Sequence, residues 1–149
     1  TYGHFLYGEL FLGKRCCYVV FDLNLWSVPS VFRHDEAAKI ARKFRNNLSR
    51  FYFGKAARKK KRFASVVANL HTTPHTHIHI LCEVPETHRF ADVRDFTKDF
   101  VIRNYPLCVP RRKDKDGNND EVCFFEPIEN VIGASIYNNR FGTDSCLLF

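Results

Sequence analysis

The chain has 149 residues, so we expect residues 1–149 to form a single compact domain. Its content of 45% hydrophobic and 15% aromatic residues excludes wholesale disorder, and no run approaches the roughly 18 apolar residues of a membrane-spanning helix. The formal net charge of +7 favours a polyanionic partner, with nucleic acid ahead of an acidic membrane surface.

In chain order, the first predicted element is a buried strand over residues 16–26, where β-branched and aromatic side chains predominate. An amphipathic helix is predicted over residues 35–52, because apolar side chains recur there at steps of three and four. Residues 55–62 form a strongly basic connection. Strands over residues 63–70 and 75–84 follow, and the short turn between them predicts a hairpin.

A second amphipathic helix is predicted to begin at Thr87 or Asp92. A fourth strand over residues 121–126 and a final helix over residues 128–140 complete the chain, with Pro127 suited to the first turn of that helix. The order strand, helix, hairpin, helix, strand, helix predicts an α+β fold. It would have a central antiparallel sheet with helices packed on it, of the ferredoxin-like kind.

The six cysteines show no metal-binding or disulfide pattern. Two of them are adjacent, none forms a C-x-x-C motif, and several lie in apolar runs. We therefore expect free thiols and a cytoplasmic location.

Three histidines recur at every second residue of the third predicted strand: His75, His77 and His79. Side chains with this spacing share one face of a strand, while Ile78 and Ile80 on the other face should meet the core. Neutral imidazole is the commonest protein ligand for divalent metals, and two rings at i and i+2 can reach one ion. The pattern favours a metal site over the polar face of a half-exposed strand.

The third ligand of such a site has two candidates. His71 lies at the start of the turn and can fold back toward the third strand. Asn69, two residues before His71, should point to the same side of its strand as His71 does. Because no cysteine has ligand spacing, histidines with open coordination positions suit Mn²⁺ or Mg²⁺ acting on a phosphate. Zn²⁺ or Ni²⁺ could replace either ion in vitro.

A tyrosine near the end of the final predicted helix is a candidate nucleophile. Tyr137 is followed one helical turn later by Arg140. A phenol has a pKa of about 10, so it needs a metal that polarises the phosphate and a cation that stabilises charge. The competing interpretation is a core tyrosine whose hydroxyl is satisfied locally.

These features together resemble the HUH endonucleases. The run from His77 to His79, with Ile78 between, resembles the second motif of that family, and Tyr137 followed by Arg140 resembles the third. The strand over residues 18–25 resembles the looser first motif. The resemblance covers nearly the whole chain and implies the HUH endonuclease fold.

By this resemblance the chain would be a single-tyrosine replication initiator (Rep) endonuclease of a plasmid, phage or small virus. Tyr137 would attack single-stranded DNA at an origin, either open or in a hairpin, and form a 5′-phosphotyrosine link. His77 and His79 would hold Mn²⁺ or Mg²⁺ as the cofactor. A monomeric domain that works with the host replication machinery is implied.

The chain departs from the family pattern at two places, and it also permits a second register of the histidine pair. Arg140 stands where Rep proteins usually have lysine, and it does not easily give up a proton. Asn69 stands where viral Rep proteins often have a glutamate ligand, so His71 is our preferred third ligand. An alternative register would make His75 and His77 the pair, but the spacer there is Thr76 rather than a bulky apolar residue.

A run of five cations is predicted to contact the DNA backbone: Arg58, Lys59, Lys60, Lys61 and Arg62. Such contacts supply affinity and salt dependence rather than sequence choice. A solvated loop is the competing interpretation.

Three other functions compete with the Rep hypothesis. A single-tyrosine insertion-sequence transposase would use the same chemistry at element ends. A 2H-type phosphoesterase needs two H-x-T motifs, and we find only the one that begins at His71. A non-catalytic nucleic-acid-binding module would bind DNA equally well in EDTA and form no covalent adduct.

Overall fold

The structure is a computed structural model that describes residue 11, residues 13–72, 75–110 and 122–129, and the backbone of residues 146–148. Its strands are β1 (Cys16–Leu23), β2 (Val66–His71), β3 (His77–Glu83), β4 (Cys108–Val109), β5 (Phe124–Ile128) and β6 (Cys146–Leu148). Its helices are a 3-10 turn (Ser30–Phe32), α1 (Arg33–Phe53), α2 (Lys55–Lys59) and α3 (Phe90–Arg103).

The strands form one antiparallel sheet in the order β4-β1-β3-β2-β6, and β5 also pairs with β1. The predicted hairpin is confirmed, since β2 and β3 pair with His71 opposite His77. β1 lies on the other side of β3, with Asp22 opposite His77 and Val20 opposite His79. The predicted α+β class, with helices packed on a central antiparallel sheet, is confirmed.

The main core lies between the sheet and helices α1 and α3. Alternate side chains of β1, such as Val19 and Phe21, point to this layer, as do Ile78 and Ile80 of β3. A smaller apolar cluster on the opposite face includes Tyr18. Both faces of the central strands are therefore buried, apart from the end where the histidines lie.

Phe44 of α1 is at the centre of the main core. It is completely buried, and its ring centroid lies 5.2 Å from that of Phe100 and 6.3 Å from that of Phe21. We expect Phe44→Ala to lower the free energy of unfolding by about 3–5 kcal/mol, because the variant loses apolar burial and leaves a cavity. Urea denaturation measures this change. Phe32→Ala, at an exposed position, should lower it by less than about 0.5 kcal/mol, and equal losses would contradict this description of the core.

The predicted start of the final helix is wrong. Pro127 and Ile128 belong to β5, where Pro127 lies opposite Cys17 of β1. Within the described part of the chain, β5 pairs only with β1. A proline is tolerated in such an edge strand because its missing N–H can face away from the ladder. Residues 130–140 of the predicted helix lie outside the described residues.

Other boundaries also differ from the prediction, and the second long helix begins at Phe90 rather than at Thr87 or Asp92. The basic connection begins with a helical turn, α2, and the first strand ends at Leu23 rather than at residue 26. Gly54, which separates α1 from α2, has φ of +57°, a conformation that L side chains rarely adopt. The chain can therefore break the helix here and begin a new turn immediately.

The cysteines described by the structure are free thiols, as predicted: Cys16, Cys17, Cys82, Cys108 and Cys123. Burial raises the pKa of the Cys16 thiol to about 12 and that of the Cys108 thiol to about 12. Across the β1–β3 pair, the Sγ atoms of Cys17 and Cys82 lie 3.1 Å apart in a thiol–thiol hydrogen bond. Cys16 and Cys108 are therefore held protonated, and the buried cysteines behave as small core side chains.

Within the described ranges, no helix combines the length and the apolar character needed to span a membrane.

Candidate metal centre

Three histidines converge on the sheet face that points away from α1 and α3. His77 and His79 alternate with Ile78 and Ile80 along β3, so that the isoleucines enter the core and the imidazoles face outward. His71 ends β2 directly opposite His77, which brings it to the same face. The predicted sharing of one face by His77 and His79, and the folding back of His71, are confirmed.

The three rings form a compact group. Their centroids lie 4.1 Å apart for His71 and His79, 4.9 Å for His77 and His79, and 5.1 Å for His71 and His77. One ligand nitrogen from each lies within 4.8 Å of the others. Two nitrogens bound to one ion at about 2.1 Å lie at most about 4.2 Å apart, so small side-chain rotations bring all three to a single ion. The three histidines can therefore hold one divalent metal ion.

The ring of His77 is oriented by the turn before β3. Its Nδ1 lies 2.7 Å from the carbonyl oxygen of His75, and with a proton on Nδ1 it donates to that oxygen. Nε2 then carries the lone pair that a metal needs. A backbone hydrogen bond of this kind fixes both the tautomer and the direction of the ring.

Tyr18 performs the corresponding task for His79, and the sequence analysis missed it. The hydroxyl of this buried β1 residue is hydrogen-bonded to Nδ1 of His79. When Nε2 of His79 is a metal ligand, Nδ1 carries the proton and donates it to the phenolic oxygen. The alternation of side chains along β1 places Tyr18 on the outer face of the sheet. Only the β1–β3 register shows that Tyr18 lies diagonally across from His79.

His75 does not belong to the strand in which the sequence pattern places it with His77 and His79. It precedes β3 instead of belonging to it, and its Nε2 lies 3.1 Å from Oδ1 of Asp22. Among the described residues, the group that can hold one ion is His71, His77 and His79, which favours the preferred register over the His75–His77 alternative. Asn69, the other candidate third ligand, is buried opposite His79 and borders the group.

The five predicted DNA-contacting cations lie at the other end of β2. Residues 58–62 are all exposed, and the guanidinium of Arg62 covers the ring of Phe53 at 4.0 Å. They precede Val66, where β2 begins, whereas His71 ends it. Five steps of about 3.3 Å separate Val66 from His71, and three separate Val66 from Asn69, which lies opposite His79. The start of β2 is therefore about 17 Å from His71 and about 10 Å from His79 along the strand direction.

The predicted nucleophile Tyr137 and the cation Arg140 lie outside the described residues. The chain on either side of them is placed: β5 pairs with β1, and β6 pairs with β2 with Cys146 opposite Asn69. β5 and β6 are thus separated by four strand spacings of about 4.8 Å, with the histidine strand β3 between them.

Three neutral imidazoles leave several coordination positions of a divalent ion open to water or substrate. An ion held in this way can act as a Lewis acid on a phosphoryl or carbonyl oxygen. Comparison with family models, curated proteins and solved structures finds no match to this chain.

Proposed function

We propose that this chain is a metal-dependent endonuclease that nicks and rejoins single-stranded DNA at a replication origin through a covalent 5′-phosphotyrosine intermediate. The observation that carries the proposal is the group of His71, His77 and His79 on the outer face of a central antiparallel sheet. The HUH motifs in the sequence and the positive net charge support it. The fold class agrees with the α+β sheet that these motifs imply.

In this proposal the histidines hold Mn²⁺ or Mg²⁺, which polarises the scissile phosphate when bound. His77 and His79 are already oriented by the His75 carbonyl and the Tyr18 hydroxyl, so little reorganisation is required.

Tyr137 performs the covalent step. Its hydroxyl releases a proton to water, and its oxygen forms a bond to phosphorus while the bond from phosphorus to the 3′-oxygen breaks. That 3′-oxygen leaves with the electron pair and takes up a proton, which yields the 3′-hydroxyl end that a polymerase extends. Attack by another 3′-hydroxyl reverses the step and joins strands. Arg140 stabilises the charge on the phosphate through its fixed positive charge.

The proposed partners are single-stranded DNA, including hairpin forms, and the host replication machinery in the cytoplasm. The isolated domain would act as a monomer. An insertion-sequence transposase would cut the ends of a mobile element with the same residues, so cleavage of origin DNA versus element-end DNA separates these two activities.

The deciding experiment uses a pool of randomised single-stranded oligonucleotides with Mn²⁺, followed by denaturing gel electrophoresis. With a 3′-terminal label we expect a labelled protein adduct that EDTA prevents. With a 5′-terminal label we expect a free fragment whose 3′-hydroxyl a polymerase can extend. Nicking without an adduct, or label transferred only from the 5′ end, would overturn the tyrosine mechanism. Equal DNA binding in EDTA with no cleavage would identify a non-catalytic binding module.

The basic segment supplies a prediction about salt. Replacing Arg58, Lys59, Lys60, Lys61 and Arg62 by Gln should reduce the slope of log affinity against log salt concentration by up to about 3.5, since each single-strand phosphate contact contributes about 0.7. Fluorescence anisotropy of a labelled oligonucleotide across salt concentrations measures the slope. Lys39→Gln, at an exposed position of α1, serves as the control. An unchanged slope in the fivefold variant would make the segment a solvated loop.

A further inference from the structure

A cavity of about 560 Å³ opens beside the metal centre, between the end of β1 and the turn that joins β2 to β3. This volume is within the range of about 300–1,000 Å³ that small-ligand sites occupy. Its lining includes Asp22, Trp26, Arg33 and His75. The proposed chemistry does not use the cavity.

Trp26 forms an exposed aromatic wall of the cavity. Its side chain is 89% exposed, and Val31 and Phe32 nearby along the chain are 76% and 55% exposed. An indole left in water at the rim of a cavity is a common stacking platform for an unpaired base. Arg33 lines the same cavity, and its Nε donates to the carbonyl oxygen of Val28 at 3.0 Å, which anchors the guanidinium. The cavity therefore combines a stacking surface with a fixed positive charge.

Asp22 forms the polar end of the cavity. It is only 4% exposed, and its Oδ1 accepts from Nε2 of His75 at 3.1 Å. A carboxylate has acceptor capacity for further donors. A base with an exocyclic amine can donate to such a group, as cytosine N4 does to acidic side chains, whereas thymine presents a carbonyl oxygen at the same position.

The cavity is adjacent to the metal centre. Asp22 lies opposite His77 in the β1–β3 register, so one strand spacing of about 4.8 Å separates their backbones. Thr76, just before β3, is held against β1, because the amide of Leu23 donates to the carbonyl oxygen of Thr76 at 3.0 Å. A base in the cavity would thus belong to a nucleotide next to a phosphate at the histidines.

We propose that this cavity binds one unpaired nucleotide of the DNA strand. Its base stacks on Trp26, and the exocyclic amine of the base donates a hydrogen bond to the carboxylate of Asp22. The inference rests on the proposed function, since it names the substrate element that lies beside the reacting phosphate. It makes Trp26 the stacking residue and Asp22 the residue that discriminates cytosine from thymine.

The test exploits the fact that the chain has a single tryptophan, so fluorescence excited selectively in tryptophan, at a wavelength that tyrosine does not absorb, reports on Trp26 alone. The protein is titrated in EDTA with oligo(dC) and with oligo(dT) of equal length. We expect quenching by both oligonucleotides and about tenfold tighter binding of oligo(dC). Asp22→Asn should remove this preference, because an amide also donates to the O4 of thymine. Binding measured by anisotropy without a change in fluorescence would overturn the proposal.

Substitution of Trp26, the proposed stacking residue, gives the matched comparison for the fluorescence test. Trp26→Ala should weaken binding of a labelled oligo(dC) about tenfold, and Trp26→Phe should recover most of the loss because a phenyl ring still stacks. Val31→Ala, at an exposed position outside the lining of the cavity, should bind as the wild type does. Equal affinity of Trp26→Ala and wild type would contradict the subsite. Because no metal or cleavage is needed here, quenching without nicking would leave the subsite standing and reject the endonuclease.

Discussion

Tyr137→Phe is expected to abolish the covalent protein–DNA adduct while leaving the binding of single-stranded DNA unchanged. The substitution removes one oxygen atom, and that atom is the one proposed to bond to phosphorus. Phenylalanine keeps the ring, so packing and stacking are little altered. The adduct is measured on denaturing gels with a 3′-labelled oligonucleotide and Mn²⁺, and binding is measured by anisotropy in EDTA.

Tyr105→Phe is the matched control for that experiment. Tyr105 is 68% exposed and follows α3, so removal of its hydroxyl should change neither the adduct nor the binding. Tyr18→Phe is unsuitable as a control because the Tyr18 hydroxyl orients His79. An adduct that forms at the wild-type level in Tyr137→Phe would show that another side chain is the nucleophile. Peptide mapping of that adduct would then identify the residue.

The second large effect is expected at the histidines. His77→Ala and His79→Ala should each weaken the binding of Mn²⁺ by at least about 100-fold, because loss of a direct ligand costs more than loss of an orienting partner. Cleavage should fall in parallel when it is measured at a fixed metal concentration. Isothermal titration calorimetry gives the affinities, and Zn²⁺ as a second probe ion tests the same ligands with tighter binding.

His34→Ala controls for the general effect of removing a histidine, since His34 is exposed on α1. The third ligand is decided by comparing His71→Ala with Asn69→Ala. The geometry predicts that His71→Ala is the more damaging of the two. Wild-type metal affinity in both His77→Ala and His79→Ala would reject the metal centre altogether.

The candidate site was predictable where the evidence is local. The two-residue period of the strand placed His77 and His79 on one face, and the short turn brought His71 back beside them. Tyr18 and Asp22 could not be found in this way. Their roles depend on the pairing of β1 with β3, strands that are far apart in the chain, and no local pattern specifies that register.

The errors in the fold prediction also have physical causes. Pro127 suits the first turn of a helix and equally suits an edge strand, and pairing with β1 selects the strand. His75 continues the alternation of β3, but its contact with Asp22 belongs to the turn before the strand. In both cases a long-range partner decides between two conformations that the local sequence permits.

In the proposed function, a DNA strand that reaches from the basic segment before β2 to His71 at its end must span the length of β2. A stacked single strand advances about 3.4 Å per nucleotide, so about five nucleotides span the length of that strand. A trinucleotide could occupy only one of the two regions, whereas an octanucleotide could occupy both. Affinity should therefore rise steeply once the oligonucleotide is long enough to bridge them, and only gradually thereafter.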